Sequence, residues 1–193
     1  MQLDFTGLVD VSESFNQYDF RADVHFAELN KLRLVTRDSI SVFAGKVVVD
    51  MDGTTIDDSV GSFSFQETFY QNQDDDFYFD DFRITSSFQD KERIIAINSP
   101  DICDGQVSGN FLIKDIANLF RNGLGSMYAN YVPTEVTTNQ YIDYDLSVYS
   151  KIVEVFVPEL QVGENSRLRG AVSSDESKFE LDFKSPELLL FNN

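Results

Sequence analysis

The chain is written largely in a period of two. Leu3, Phe5, Val9 and Val11 share one parity around Gly7. Tyr18, Phe20, Ala22, Val24 and Phe26 alternate with Asp19, Arg21, Asp23 and His25, and Phe63, Phe65 and Phe69 alternate with Ser62, Ser64, Gln66 and Thr68. Val107, Gly109, Phe111 and Ile113 alternate with Gln106, Ser108, Asn110 and Leu112. Ile142, Tyr144, Leu146 and Val148 stand opposite Asp143, Asp145 and Ser147, as Phe179, Leu181 and Phe183 stand opposite Lys178, Glu180 and Asp182. Successive side chains of a strand point to opposite faces, so each stretch predicts a strand with one apolar and one polar side. Together they predict an antiparallel sheet that covers something on one face.

Some segments break the alternation. Phe77 and Phe79 share one parity and Phe82 and Ile84 the other, which predicts a β-bulge at Asp80-Asp81. Residues 40–49 and 93–97 are apolar on both parities, which predicts strands covered on both sides, with a helix as candidate cover. That helix is predicted over 113–122, where Ile113, Ile116, Ala117 and Phe120 share a helical face flanked by Leu119. Gly123 and Gly125 are expected to break it, and Leu124 to Tyr131 to continue as a loop or second short helix before Pro133. A shorter helical piece is expected over 149–156, stopped by Pro158. Turns are expected at Asp52-Gly53, Asp104-Gly105, Gly163-Glu164-Asn165 and Ser173-Ser174-Asp175.

One cadence occurs twice. Ile94 to Asn98 runs into Ser99-Pro100-Asp101-Ile102, and Glu180 to Lys184 runs into Ser185-Pro186-Glu187-Leu188. Proline cannot donate to a ladder and keeps its predecessor extended, so both strands are expected to stop at the same relative point. Repeated punctuation of this kind points to stacked, similar strands. No linker or low-complexity block divides the text, and residues 1–193 read as a single β-rich segment.

Composition narrows the function. The 193 residues include 18 Phe and 8 Tyr but no Trp, ample for a core, and the formal net charge is −18. Nucleic acid and anionic membrane surfaces are bound through Lys and Arg, so this balance argues against both as direct partners. The plain reading of the acids is a well-solvated outer surface. Cys103 is the only cysteine, so no internal disulfide forms, and no apolar run is long enough to insert in a bilayer. Met1 to Phe5 lacks the charged and apolar regions of a signal peptide. The chain reads either as a cytoplasmic domain or, since it begins and ends in strand-like text, as a piece excised from a longer protein; the second is preferred.

Catalytic chemistry finds little purchase. His25 is the only histidine and sits on the polar parity of its strand, and Cys103 has no catalytic signature around it. The acid runs Asp74-Asp75-Asp76, Asp80-Asp81 and Asp50/Asp52/Asp57/Asp58 lack the ligand spacing of a calcium loop. They read as solvated turns, with a calcium-dependent module or glycosidase-like fold as a weaker alternative. No catalytic residue, metal ligand or cofactor is assigned. The apolar strand faces fit two architectures: the core of a closed acidic sandwich that binds protein or carbohydrate through loops, or an open curved sheet whose inner face receives an apolar ligand. Alternation alone leaves both standing and favours the closed core.

The order of segments adds a resemblance. Asp57-Asp58-Ser59-Val60-Gly61 leads through aromatic strands to Arg93-Ile94-Ile95 and Ser99-Pro100-Asp101-Ile102. Then follow Gly105, Gly109, Leu112 to Phe120, Leu124-Gly125-Ser126, Tyr128 to Pro133, Tyr149 to Glu154 and Pro158-Glu159-Leu160. This resembles an internal segment of the TamB family, AsmA-like envelope proteins of the translocation and assembly module in diderm bacteria, over about residues 45–186.

The resemblance implies a mainly β fold: an elongated, curved antiparallel sheet (a β-taco or half-pipe) with one short helical insert near 113–131. It implies a section of a hydrophobic groove for phospholipid transport between inner and outer membrane. The localisation would be periplasmic, within a parent anchored in the inner membrane. The implied partners are phospholipid acyl chains and an outer-membrane assembly protein, with no nucleic acid and no direct membrane insertion by this segment. The expected groove wall is Phe20, Val24, Phe63, Phe65, Phe69, Val107, Phe111, Ile142, Tyr144, Leu146, Phe179, Leu181 and Phe183. The helix departs from a plain half-pipe and is expected to plug, cap or pack against the groove.

Overall fold

The computed structural model describes residues 1–12, 16–149, 160–175, 179–186 and 188–190. Ten strands build one antiparallel sheet: β1 (Gln2–Asp10), β2 (Gln17–Glu28), β3 (Ser41–Asp52), β4 (Val60–Asn72), β5 (Asp76–Gln89), β6 (Glu92–Asn98), β7 (Cys103–Asn110), β8 (Tyr141–Val148), β10 (Ser166–Ser173) and β11 (Phe179–Lys184). They lie side by side in chain order, and the edge strands β1 and β11 do not pair with each other. The sheet is therefore open. The short strands β9 (Leu160–Val162) and β12 (Leu188–Leu190) form a separate pair. A 3₁₀ turn (Ile113–Asp115) and helix α1 (Ile116–Gly125) are inserted between β7 and β8. The fold is thus mainly β, a curved open sheet with one short helical insert. It is not the closed sandwich that alternation alone favours.

The pairing register shows which residues share a face, because directly opposed residues of antiparallel strands point the same way. From Phe20↔Val49, Val49↔Phe63, Phe63↔Ile84, Ile84↔Ile97, Ile95↔Val107, Val107↔Tyr144, Leu146↔Leu168 and Leu168↔Phe183, one apolar face runs across β2 to β11. Phe82 and Phe79 on β5 are only 8% exposed. A flat, uncovered face would leave such rings in water; here they pack with Cys103, Val148 and the loop residue Ile102.

Both Ser-Pro punctuation marks fall where expected, directly after β6 and β11. In each, the serine ties its strand to a neighbour. Ser99 donates through Oγ to the Asp81 carbonyl at 2.5 Å, and the Ser185 and Ser166 hydroxyls lie 2.6 Å apart. One turn expectation and one helix end change. Asp104-Gly105 lies inside β7, where Gly105 takes a φ of 148° and a Cβ would overlap the β8 backbone at Asp145 and Leu146. The glycine there serves close strand approach rather than reversal. Helix α1 likewise continues through Gly123 instead of stopping, because the Phe179 ring and Val172 pack directly on that glycine. Most of the helical piece expected over 149–156 falls outside the described residues.

The helix covers one end of the apolar face. Leu119 is 1% exposed and joins Phe111, Ile142, Tyr144 and Val172, with Phe120 5.2 Å from the Tyr144 ring. Ile94 and Ala96, on the opposite side of β6, are half-buried in the outer surface. The helix therefore lies on the inner side alone, and the expectation that it would help cover residues 93–97 on both faces is corrected.

At the other end of the strands the β2–β3 loop bends over the same face. Asp38 is buried there, held by Arg37 through two hydrogen bonds of 2.9 and 3.0 Å and by the Tyr70 hydroxyl at 2.9 Å. The Arg37 guanidinium, with help from Tyr70, keeps the Asp38 carboxyl below the ordinary carboxylate range against the cost of burial. A carboxyl depressed in the folded state stabilises the fold above its unfolded value and loses that contribution as pH falls through the folded value. Asp38→Asn is therefore expected to destabilise the chain at neutral pH, with the gap to wild type shrinking between about pH 5 and pH 2. Urea midpoints along that range check this; a gap independent of pH would contradict it.

Candidate functional site

The inner face is the feature with chemical character. Leu3, Phe5 and Val9 on β1 begin it, Phe183, Leu181 and Phe179 on β11 end it, and Arg93 is the only charged side chain placed on it by the described strands. Aromatic rings pave its middle: Phe43–Phe65, Phe63–Phe65 and Phe65–Phe82 have centroids 5.6, 4.7 and 6.4 Å apart. The only other sheet among the described residues is the β9–β12 pair, three residues per strand, too small to cover ten strands. The opposite face carries the acids, including Asp4, Asp19, Asp23, Asp50, Asp104, Asp143, Asp145 and Asp182.

Most of the expected wall lies together on this face: Phe20, Val24, Phe63, Phe65, Val107, Ile142, Tyr144, Leu146, Phe179, Leu181 and Phe183. Their surroundings differ. Ile142 and Tyr144 are sealed beneath α1, whereas Phe20, Val24, Phe63 and Phe65 are half-buried and Leu181 is exposed. Phe111 stands just past the end of β7, buried under the helix, and belongs to the core.

Phe69 is on the wrong side. Glu67 adopts a positive φ of 49° and bulges out of β4, where the register to β3 slips between Ala44 and Lys46. Beyond the slip Tyr70, not Phe69, continues the inner face, and Phe69 packs on Tyr78 outside, 4.9 Å between centroids. On β5 the expected switch at Asp80-Asp81 is present: Phe77, Phe79, Phe82 and Ile84 all join the inner cluster despite their two parities. The two strands change parity opposite each other, so their mutual register is unbroken.

The β3–β4 loop, residues 53–59, forms a roof that alternation gives no sign of. It crosses the inner face as far as the helix: Asp57 accepts a hydrogen bond from the Ile113 N–H at 2.6 Å. The Asp57 carbonyl also accepts from Nη2 of Arg93. Arg93 is 1% exposed, donates to Ser86 Oγ at 3.1 Å and lies over the Phe88 ring at 4.7 Å. Burial lowers its pKa, opposed by Asp57 and Asp58, but not far enough to discharge a guanidinium. Its role is to staple the loop to the sheet. Beneath the loop is a pocket of about 410 Å³, floored by Tyr18, Phe20, Val49, Met51 and Phe63 and roofed by Thr54, Thr55, Ile56 and Ser59. Val49 and Met51 belong to β3, whose apolar residues on both parities conceal which of them face inward.

Other chemistry is dispersed. His25 is exposed on the outer face and bonds Asp4 at 2.9 Å, which raises its pKa. Cys103 is buried in the inner core, and burial pushes its thiol up to about 11, so it is a poor nucleophile. Asp74 and Asp75 turn their N–H groups to Asn72 Oδ1 in an exposed β4–β5 turn. Among the described residues no group of three His, Cys, Asp or Glu side chains is arranged to hold a metal ion, and no helix is long and apolar enough to cross a membrane.

Comparison with known proteins returns no matching family model, curated protein or solved structure.

Proposed function

We propose that this chain is a section of a hydrophobic trough that shelters phospholipid acyl chains on their way between the inner and outer membranes of a diderm cell envelope. The observation that carries the reading is the continuous inner face: apolar from β1 to β11, with no sheet of comparable size across it among the described residues. Exposing a methylene to water costs about 0.8 kcal/mol, so the roughly thirty methylenes of a phospholipid cost on the order of 25 kcal/mol. An apolar trough removes much of that cost while the headgroup stays wet at the rim. The acidic outer face suits the solvated exterior of such a conduit.

The resemblance to the TamB family supplies the envelope setting: a periplasmic position, a longer anchored parent and an outer-membrane assembly protein as partner. Helix α1 packs on the wall beneath β8, β10 and β11, so the room for a guest lies over β1 to β4. Lipid extraction and mass spectrometry of the chain purified from a diderm host without detergent test the reading. Phospholipid is expected in roughly stoichiometric amount. Protein free of lipid that also fails to take up a fluorescent hydrocarbon would overturn it.

A further inference from the structure

Helix α1 runs into an exposed apolar turn. Leu124, Met127, Tyr128 and Val132 are 47%, 74%, 75% and 82% exposed. Side chains on a flat patch cover one another, whereas at three-quarters exposure these stand out from the surface singly. Residues 116–134 hold one charged side chain, Arg121, in a chain of which 25% is charged. The turn is also closed on itself. The N–H groups of Ser126, Met127, Tyr128 and Tyr131 donate to the carbonyls of Asn122, Leu124, Gly125 and Tyr128 at 2.8, 3.2, 2.9 and 3.2 Å. Asn122 ties its two ends: Nδ2 donates to the Thr134 carbonyl at 2.7 Å, and Oδ1 accepts from the Thr134 N–H at 2.9 Å and the Tyr131 hydroxyl at 3.0 Å. The Tyr131 ring fills the space a Cβ on Gly125 would need. The apolar side chains are therefore held outward by a folded turn that satisfies these N–H groups without water.

We infer that residues 124–132 seat this chain on the surface of a zwitterionic phospholipid bilayer, with Leu124, Met127, Tyr128 and Val132 at the level of the headgroups and first methylenes. Projecting side chains need a matching pocket in a protein partner, but a fluid bilayer closes round them. A protein interface also carries about one hydrogen bond per 100–200 Å², and this turn has its N–H donors engaged internally. The absence of Asp and Glu from 116–134 removes the penalty of drying a carboxylate. The net charge of −18 sets the lipid class, because it opposes approach to anionic headgroups. The chain-wide balance that argues against membranes concerns anionic surfaces and spanning runs, and this turn needs neither. The inference goes beyond the trough reading and does not depend on it, since α1 lies over β8 to β11 and the guest's room over β1 to β4.

The full chain has no Trp, so Tyr128→Trp places a single fluorescent reporter in the turn. Leu34→Trp places one in the β2–β3 loop, where Leu34 is 72% exposed. With phosphatidylcholine vesicles the first is expected to shift its emission to the blue and to be quenched by brominated acyl chains, and the second to do neither. Met127→Asp should lower vesicle partitioning about tenfold in flotation. Replacing about a third of the lipid by phosphatidylglycerol should weaken partitioning about threefold at low salt, with most of the loss recovered at high salt. If Met127→Asp does not fold by circular dichroism, Val132→Asp repeats the measurement from the other side of the turn. Equal shifts of both reporters, partitioning that the folded aspartate variant does not lower, or tighter binding to anionic vesicles overturns the inference. So does a Tyr128→Trp emission that is blue without vesicles and reddens on dilution, which would mark a second copy as the partner. Absence of vesicle binding also overturns it, while hydrocarbon uptake, measured separately, still decides the trough.

Discussion

Ile142→Ala is expected to lower the unfolding free energy by about 3–4 kcal/mol, near the upper end for loss of a buried aliphatic side chain. Ile142 is fully buried, paired between Gly109 and Val172, and roofed by Leu119 and Phe111. Its flank at Gly109 offers no side chain to fill the vacated space, and the helix above is held by its own connections. The Asp115 carboxylate accepts from Gln140 Nε2 at 2.9 Å, and Gln140 Oε1 accepts from the Leu112 N–H at 2.6 Å. Collapse onto the cavity is therefore restricted, and the cavity penalty adds to the lost transfer energy. Val9→Ala, on an edge strand and 48% exposed, should cost no more than about 0.5 kcal/mol. Chemical denaturation of the two variants checks the contrast; a loss below about 1 kcal/mol at Ile142 would mean that the helix end is loosely packed.

The second large effect concerns binding. Phe63→Asp should weaken hydrocarbon uptake more than about a hundredfold, because a carboxylate in the apolar floor must be stripped of water when a chain is seated on it. Phe63 lines the pocket, half-buried, with its ring 4.7 Å from Phe65. Phe69→Asp, six residues along the same strand, places the same charge on the outer side and should leave uptake within about twofold of wild type. Fluorescent hydrocarbon titration of both variants, each verified folded by circular dichroism, separates the two faces. Equal loss in both, or in neither, would mean that the inner face is not the binding surface.

That pair also shows how far sequence reading reaches. Strands with one clean parity were legible, as in Tyr18 to Val24 and Ile142 to Val148, because a half-buried strand has to alternate. The slip in β5 was legible because the apolar set itself jumps from Phe79 to Phe82. The matching slip in β4 was hidden: Phe63, Phe65 and Phe69 keep one parity straight through it, and the bulge at Glu67 turns the last of them outward. Adjacent Phe69-Tyr70 offered the one clue, since either aromatic could have continued the inner row. The helix was legible from its apolar face, but its end was not, since packing of Phe179 on Gly123 outweighs glycine's low propensity. The roof over the pocket left no periodic trace at all. It is fixed by single contacts from Asp57 and Arg93 between residues far apart in the chain, which no local pattern encodes.

The neighbour-only order of the ten strands has a consequence for how such a chain can change in length. Every strand bonds to the strands beside it in the main sheet, and no distant crossover locks the array. Duplicating or deleting the β1–β2 hairpin, which lies at the edge and clear of the Asp57–Arg93 staple, would therefore lengthen or shorten the structure by about 10 Å, without reversing which side of any remaining strand is greasy. A single added strand would instead reverse the chain's direction for all that follows. Growth in pairs is the step size this architecture tolerates.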